Sequence, residues 1–296
     1  MRIFVTGASG HIGSLVVREL WDHGHTVVGL ARSQASADAL TSAGAQVVRG
    51  TLDDLESLAE AARAADGVIH LAYKHDFSDY AASAEADVRA VEAMGAALAG
   101  SGKPFINTSG TATLAAASPG VLATEDMVGA GPRGASEAAT LALAEQGVRA
   151  IVIRLSPTVH GPTDHHGFIP ALIANARSTG QAIYVGDGAN RWPAVDNRDA
   201  ARLYRLAVES APAGAVLHGA AEEGIPFRDI AELIGARLGV PTAGVSPDQA
   251  TEQLAFIGWV AAQDNPTSSK HTQQLLGWTP QYPTLLEDMR GEHYFV

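Results

Sequence analysis

Short apolar runs alternate with helical patterns along the first half of the chain. The runs are rich in valine and isoleucine and are bounded by glycine or polar residues, which is typical of buried strands. Six such strands are predicted, at residues 3–5, 26–30, 46–50, 66–72, 104–110 and 150–155. Between them, apolar residues recur every three or four positions, as in helices that pack on a sheet. This alternation predicts an α/β fold built on a doubly wound parallel sheet.

The turn after the first strand is rich in glycine. It reads Thr-Gly-Ala-Ser-Gly-His-Ile-Gly, and a helical pattern follows directly. Glycine permits a tight turn at Gly7, close approach of a pyrophosphate at Gly10, and close packing of helix on strand at Gly13. Because the free amides at a helix start also attract phosphate, we expect this segment to bind a dinucleotide. The expected contacts are Thr6, Gly7, Ser9, Gly10, His11, Ile12 and Gly13.

An arginine stands at the end of the second strand. In folds that bind NAD, a carboxylate about twenty residues beyond the glycines holds the ribose hydroxyls. Here Arg32 and Ser33 occupy that end, and a guanidinium matches a 2′-phosphate in charge and in fork geometry. The same position also suits an ordinary solvated arginine. We favour the phosphate contact, which predicts NADP(H) as the cofactor.

Five stretches of the chain together carry a family resemblance: residues 6–13, 70–72, 108–110, 154–162 and 186–195. They resemble short-chain dehydrogenase/reductases of the extended or atypical type, the group that includes nucleotide-sugar epimerases. The resemblance implies a Rossmann doubly wound parallel sheet with a smaller C-terminal substrate lobe. It also implies that Ser109 is the catalytic serine and that the backbone of Pro157, Thr158 and Val159 holds the nicotinamide carboxamide.

Further cofactor contacts are expected where other strands end. Leu52 follows the third strand, and Leu71, Ala72 and Tyr73 follow the fourth, where a small residue lets the backbone lie against the cofactor. Thr108 lies beside Ser109 at the end of the fifth strand. All of these lie at the carboxyl edge of the sheet, where open α/β sheets bind their ligands.

The sequence departs from the family pattern at the catalytic pair. Relatives have a tyrosine followed four positions later by a lysine, and here Arg133 and Glu137 stand at those positions. Arginine stays protonated in proteins and cannot act as an acid near neutral pH. Two residues four apart on one helix face can simply pair, which is the interpretation we favour. The alternative is that Arg133 binds an anionic or carbonyl oxygen. A second departure follows the third strand. Relatives often have an aspartate directly after the glycine, where it contacts adenine, whereas here the first aspartate after Gly50 is Asp53. An adenine contact by Asp53 therefore stays open.

The missing tyrosine leaves the proton donor to be found elsewhere. The titratable candidates are Tyr73 and His75 after the fourth strand and His160, His165 and His166 after the sixth. Histidine is the natural acid near neutral pH, whereas a tyrosine needs a cationic neighbour such as Lys74 or Arg133. We favour His165, with Tyr73 second.

The second half of the chain predicts a smaller lobe. Helical patterns cover residues 168–177, 226–238, 246–256 and 268–276, and another helix begins at residue 197. Residues 1–160 and about 190–212 are assigned to the dinucleotide-binding Rossmann domain. Residues from about 161 to 189 and 213 to 296 are assigned to the substrate-binding lobe.

Composition limits the partners. The 296 residues carry a net charge of −12, which argues against nucleic acid or an anionic membrane as the main partner. There is no cysteine, and no run approaches membrane-spanning length. The adjacent histidines His165 and His166 lack zinc-site spacing, so no metal is predicted. We expect a soluble, cytoplasmic protein that takes a small-molecule substrate, and a homodimer stays open.

Two classes of function fit these observations. One is an NADP(H)-dependent oxidoreductase that reduces a carbonyl, quinone or enone by hydride transfer. The other is a non-catalytic NADP-binding sensor that kept the fold after losing the tyrosine and lysine. A nucleotide-sugar epimerase or dehydratase is a third, weaker interpretation because it needs the missing tyrosine. Ser109 and the histidine-rich loop favour the enzyme.

Overall fold

The computed structural model describes residues 1–74 and 79–296. Its strands, in chain order, are β1 (Arg2–Thr6), β2 (Thr26–Ala31), β3 (Gln46–Arg49), β4 (Gly67–His70), β5 (Pro104–Gly110), β6 (Arg149–Leu155), β7 (Thr158–His160), β8 (Ala182–Val185), β9 (Arg191–Asp196), β10 (Ala215–Gly219), β11 (Glu222–Pro226) and β12 (Thr242–Val245). Its helices are α1 (His11–Asp22), α2 (Gln34–Ser42), α3 (Leu55–Arg63), α4 (Tyr80–Ala97), α5 (Ala112–Ala117), α6 (Pro132–Ala142), α7 (Phe168–Thr179), α8 (Asn197–Ser210), α9 (Phe227–Leu238), α10 (Pro247–Leu254), α11 (Phe256–Ala261), α12 (Lys270–Leu276) and α13 (Leu285–Asp288).

The main sheet has seven parallel strands in the order β10-β6-β5-β4-β1-β2-β3. The chain winds outward from β1 in one direction and then from β4 in the other, so the winding reverses between these two strands. Such a reversal opens a crevice at the carboxyl edge. All six predicted strands are present, and the predicted doubly wound α/β fold is confirmed.

The two faces of the main sheet bury separate apolar cores. On one face α1 and α8 cover β1, with Leu20 and Tyr204 packed in the same cluster as Ile3. On the other face α3 and α4 pack on Phe4 and Phe105. Because both faces are covered, the strands read as continuous apolar runs, which is why the sequence revealed them.

The fourth strand ends earlier than predicted. It was expected to continue to Ala72, but the ladder stops at the pair Thr6 and His70 because β1 ends at Thr6. The chain then turns away, and the Ala72 amide donates to the Thr6 side chain instead of to a strand.

The smaller lobe is built from two short sheets and the helices around them. One sheet has the order β11-β9-β7 and the other pairs β8 with β12. Its core centres on Trp192, which contacts Phe168 and Phe227. The sequence pattern predicted helices here but none of these strands. The division of the chain into two units stays a prediction. One segment assigned to the lobe, β10, lies in the main sheet beside β6.

The predicted helix over residues 246–256 is present as α10, and a second helix that was not predicted, α11, follows it. The break lies at Ala255, which has a φ of 50°, and α11 then turns back against α10. A β-carbon on Gly258 would lie 2.1 Å from the Ala250 carbonyl oxygen, so this turn needs glycine.

Within residues 1–74 and 79–296, no helix combines the length and the apolar character that crossing a bilayer requires.

Candidate active site and cofactor cleft

The glycine-rich segment, residues 6–13, lies at the crevice between the carboxyl ends of β1 and β4. Gly7 has a φ of +68°, and a β-carbon there would lie 2.8 Å from the Ala72 amide nitrogen. A β-carbon on Gly13 would lie 2.0 Å from the Gly7 carbonyl oxygen. Glycine is therefore required at both positions, by the backbone conformation at the first and by the close approach of α1 at the second.

The start of α1 has free hydrogen-bond donors. The first helical bond runs from the Ser14 amide to the Gly10 carbonyl, so the amides of His11, Ile12 and Gly13 precede it. The first turn carries no acidic side chain. Three amides and a positive helix end suit a pyrophosphate, and the segment therefore fits a nicotinamide dinucleotide.

Thr6 has a structural part in this crevice. Its hydroxyl oxygen accepts the Ala72 amide at 3.1 Å and lies 2.7 Å from Nδ1 of His70. These bonds hold the ends of β1 and β4 in the arrangement that Gly7 needs. Leu71, Ala72 and Tyr73 leave the sheet at this point and are partly exposed.

The end of β2 presents Arg32 to solvent. Within residues 1–74 and 79–296, neither a hydrogen bond nor an ion pair involves its guanidinium. Ser33 is the N-cap of α2, and its hydroxyl accepts the Ser36 amide at 3.1 Å. Leu52 is buried in the core beneath this edge.

Asp53 lies just before the N-cap of α3. α3 begins at Leu55 with Asp54 as its N-cap, and the Asp54 carboxylate accepts the Thr51 amide. The Asp53 carboxylate instead lies 2.7 Å from Nζ of Lys74. An adenine contact by Asp53 would have to compete with this ion pair.

Arg133 does not pair with Glu137. Both were expected on one helix face, but the Glu137 carboxylate accepts three hydrogen bonds from Arg154 on β6, the shortest at 2.6 Å, and this ion pair is buried. Arg133 has a different set of partners. Its Nη2 donates to the Thr108 carbonyl at 3.0 Å, its Nη1 lies 3.6 Å from Asp87, and its guanidinium stacks 4.0 Å from the centre of the Tyr73 ring.

Two buried groups that the sequence did not single out support Arg133. Asp87 on α4 lies 3.1 Å from Nε2 of His70 at the end of β4. Burial by itself would raise the pKa of Asp87, but the hydrogen bond from His70 and the charge of Arg133 outweigh it and hold that pKa below its usual value. A continuous chain of contacts thus runs from Thr6 through His70 and Asp87 to Arg133.

The end of β5 carries a buried hydroxyl one residue after the Thr108 carbonyl that accepts from Arg133. Ser109 is 3% exposed, and its Oγ has no hydrogen-bond partner among the residues that the structure describes. A buried hydroxyl without a partner is rare in proteins and indicates a ligand or ordered water. The Thr108 hydroxyl differs, because it bonds to the Tyr204 hydroxyl at 2.8 Å.

The turn between β6 and β7 supplies Pro157, Thr158 and Val159. Thr158 begins β7, which pairs with β9, and its side chain is buried. Its Oγ1 also lacks a hydrogen-bond partner in the described part of the chain. The position of this turn at the carboxyl edge agrees with the carboxamide contact that the resemblance implies, and the contact itself stays a prediction.

The loop from Gly161 to Gly167 packs on the start of α1. Asp164 Oδ1 lies 3.6 Å from Nδ1 of His11, and Asn197 Nδ2 contacts both His11 Nε2 and Thr163 Oγ1. Burial lowers the pKa of His11 and raises that of Asp164.

In the described residues, no hydrogen bond, ion pair or ring contact joins the histidines on this loop to Arg133. His165 and His166 are exposed, and their neighbour Asp164 contacts the glycine-rich segment rather than the ends of β4 and β5. His160 is buried and lies 3.0 Å from Asp288. His75 lies outside the described residues. The assignment of His165 as proton donor stays a prediction.

Comparisons with known proteins agree with this geometry. Residues 3–218 match the sequence profile described as the NAD dependent epimerase/dehydratase family. An uncharacterized protein of Schizosaccharomyces pombe is 48% identical over the whole of both chains. The 2-alkyl-3-oxoalkanoate reductase of Stenotrophomonas maltophilia is 31% identical over 81% of this chain and 77% of its own.

A solved structure supports the fold. The dTDP-glucose 4,6-dehydratase DesIV of Streptomyces venezuelae, solved with NAD and TYD bound, matches 98% of this chain and 96% of its own with a TM-score of 0.77 and 21% identity. The resemblance to extended short-chain dehydrogenase/reductases is therefore confirmed, and with it a nicotinamide dinucleotide as the class of cofactor. The chain is a member of the NAD dependent epimerase/dehydratase family.

Proposed function

We propose that the protein is an NADPH-dependent reductase of a carbonyl, quinone or enone group in a small organic molecule. The observation that carries this proposal is the grouping of Arg133, Tyr73 and the buried Ser109 hydroxyl at the carboxyl ends of β4 and β5. This grouping lies on the same edge of the sheet as the glycine-rich segment. Hydroxyl donors and a fixed cation are what a developing oxyanion requires.

Each group has a role in this proposal. Bound NADPH supplies the hydride. The Ser109 hydroxyl, which is buried at the end of a central strand, donates a hydrogen bond to the substrate oxygen. Tyr73 gives the proton, and the guanidinium of Arg133 over its ring stabilises the negative charge that the phenol then carries. Arg133 thus acts on charge and does not itself give up a proton.

The preference for NADPH over NADH rests on Arg32. Its guanidinium is exposed and has no partner in the described chain, and it follows β2 directly. A carboxylate would bind the ribose hydroxyls of NAD there, whereas a guanidinium binds a 2′-phosphate.

The named relatives narrow the substrate. A relative named a 2-alkyl-3-oxoalkanoate reductase covers most of this chain, so 3-oxo acids belong in the first substrate panel beside quinones and enones. Oxidation of NADPH by the purified protein, followed by absorbance, tests the proposal. We expect turnover with at least one carbonyl class and much slower turnover with NADH.

The alternative is a sensor that binds NADPH without chemistry. It is favoured by the absence of the tyrosine and lysine pair and by the engagement of Arg133 with Asp87. Tight NADPH binding without oxidation by any member of the panel would contradict the reductase and support the sensor. Absence of NADPH binding would contradict both.

A further inference from the structure

Two arginines without a carboxylate partner lie next to each other where β2 and β3 end. Arg49 is the last residue of β3. In the parallel ladder it lies opposite Ala31, and Ala31 is the residue that precedes Arg32. Both are exposed. Several other arginines of this acidic chain, Arg154 and Arg191 among them, are paired with an acidic side chain.

The guanidinium of Arg49 is anchored rather than free in solvent. Its Nη1 donates to the Ser33 carbonyl oxygen at 2.6 Å, which holds the group beside the turn that follows Arg32. In the described chain this is the one hydrogen bond that the guanidinium makes, so its other N–H groups stay available. Because the side chain is already fixed, a ligand that bonds to it loses less conformational entropy.

The neighbouring polar groups do not neutralise this edge. Asp53 is engaged by Lys74, and Asp54 accepts the Thr51 amide. The Ser33 hydroxyl caps α2, whose nine residues begin at Gln34 and direct a positive helix end to the same turn. Arg32 and Arg49 thus stand beside a helix start, and in the described residues no acidic side chain forms an ion pair with either of them.

We propose that Arg49 is a second determinant of cofactor choice and that it binds the 2′-phosphate of NADP(H) together with Arg32. This inference rests on the proposed use of NADP(H). It assigns to Arg49 a large part of the preference for NADP(H) over NAD(H). A phosphomonoester dianion has three acceptor oxygens and matches two guanidinium groups. The 2′-hydroxyl of NAD would leave both charges without a partner, so Arg49 discriminates between the two cofactors.

Titration calorimetry with two matched ligand pairs tests the inference without any substrate. The pairs are NADP+ with NAD+ and 2′,5′-ADP with 5′-AMP, and the members of each pair differ by one phosphate. The variants are Arg49→Met, Arg32→Met and the double variant. Arg63→Met is the control, because Arg63 is also exposed and ends α3 near the opposite edge of the sheet, where its carbonyl accepts Lys103.

We expect Arg49→Met to weaken NADP+ and 2′,5′-ADP about tenfold, the scale of one charge-assisted hydrogen bond, with NAD+ and 5′-AMP unchanged. The double variant should bind both members of each pair alike, and Arg63→Met should match the unmodified protein. An unchanged NADP+ affinity in Arg49→Met beside a loss in Arg32→Met would overturn the inference and leave the proposed cofactor intact.

A further pair of outcomes separates the inference from the proposed function. Equal weakening of all four ligands by Arg49→Met would mean that this arginine only holds the Ser33 carbonyl, which overturns its direct contact with phosphate. Equal affinity of the unmodified protein for NADP+ and NAD+ would overturn the proposed cofactor, and the role of Arg49 with it.

Discussion

At the scale of single residues, a fixed cation, Arg133, stands where relatives carry the tyrosine of the tyrosine and lysine pair. Arg133 is held by a carbonyl, a carboxylate and an aromatic ring that come from three different elements. A cation fixed in this way is preorganised, so it stabilises developing charge without having to reorient. The chemistry then depends on the hydroxyls beside it.

Substitution of those hydroxyls separates their roles. Ser109→Ala should lower kcat about tenfold to a thousandfold, the range for loss of one oxyanion donor, and leave NADPH affinity unchanged. Tyr73→Phe should lower kcat as well, yet it keeps the ring on which Arg133 stacks. Steady-state kinetics and NADPH titration measure both effects.

His165→Ala is the control for the proton donor, since His165 is exposed on the loop near His11. Full activity of Tyr73→Phe together with an inactive His165→Ala would return the role of acid to His165.

The charge of Asp87 makes a pH-dependent contribution to stability. Its pKa in the folded protein lies below the ordinary 3.8, so the carboxylate form favours folding at any pH above that value. The contribution is lost as the pH falls below 3.8 toward the pKa of the folded state. Asp87→Asn should therefore lower the free energy of unfolding by about 1–3 kcal/mol at neutral pH.

Denaturant unfolding at several pH values measures this difference. The gap between the unmodified protein and Asp87→Asn should narrow as the solution becomes more acidic. A gap that stays constant as the pH falls well below 3.8 would mean that the charge of Asp87 does not stabilise the fold.

At the scale of elements, the glycine-rich turn leaves no room for a side chain at two of its positions, Gly7 and Gly13. Gly13→Ala would bring a β-carbon within 2.0 Å of the Gly7 carbonyl oxygen, so α1 has to move away from β1. We expect a loss of about 1–3 kcal/mol in the free energy of unfolding, the cost of overpacking, and at least tenfold weaker NADPH binding.

Thermal unfolding and NADPH titration check this expectation. Ser14→Ala is the matched control, because Ser14 is the next residue of α1 and is exposed. NADPH affinity in Gly13→Ala equal to that of the control would show that the turn does not hold the cofactor.

Elements could be predicted from the sequence where a single residue type, or a single spacing of apolar residues, decides the local structure. Buried parallel strands read as runs of valine and isoleucine, and the glycines mark the turn into α1. β10 was missed because Ala-Val-Leu-His-Gly contains only three apolar residues and is too short to separate from a helix segment.

Contacts between distant elements were harder to predict. The pairing of Arg133 with Asp87 joins α6 to α4, and no sequence period relates them. Four-residue spacing suggested Glu137 as the partner of Arg133, but Glu137 turns to Arg154 because a buried arginine on β6 requires a counter-charge.

At the scale of the whole molecule, Tyr294 holds the loop from Gly161 to Gly167, which packs on the glycine-rich segment. The Tyr294 hydroxyl accepts the Gly161 amide and donates to Asp164, each at 3.1 Å. Asp164 in turn faces His11 at the start of α1. Burial raises the pKa of Tyr294 above its usual range, so the hydroxyl keeps its proton and stays a donor.

Tyr294→Phe should therefore affect both stability and cofactor binding. It leaves the Gly161 amide without an acceptor, which costs about 1–3 kcal/mol when the group is buried, and it loosens the loop that contacts His11. Chemical denaturation and NADPH titration give the two values. Tyr282→Phe is the control, since Tyr282 is 43% exposed and contacts Arg198 through its ring face.

Equal stability of the two tyrosine variants would mean that the Tyr294 hydroxyl is dispensable. A loss of stability with unchanged NADPH affinity would mean that the Tyr294 hydroxyl stabilises the smaller lobe but does not affect cofactor binding.

The position of β10 in the main sheet has a consequence for the order in which the protein can assemble. The ribosome makes β6 more than fifty residues before β10, so during synthesis β6 is an open sheet edge with free backbone donors and acceptors. Such edges invite pairing with other chains. A nascent chain stopped after α8 should therefore aggregate, whereas one that extends past β10 can close its own edge. Sedimentation of ribosome-released fragments that end just before and just after β10 would reveal this difference.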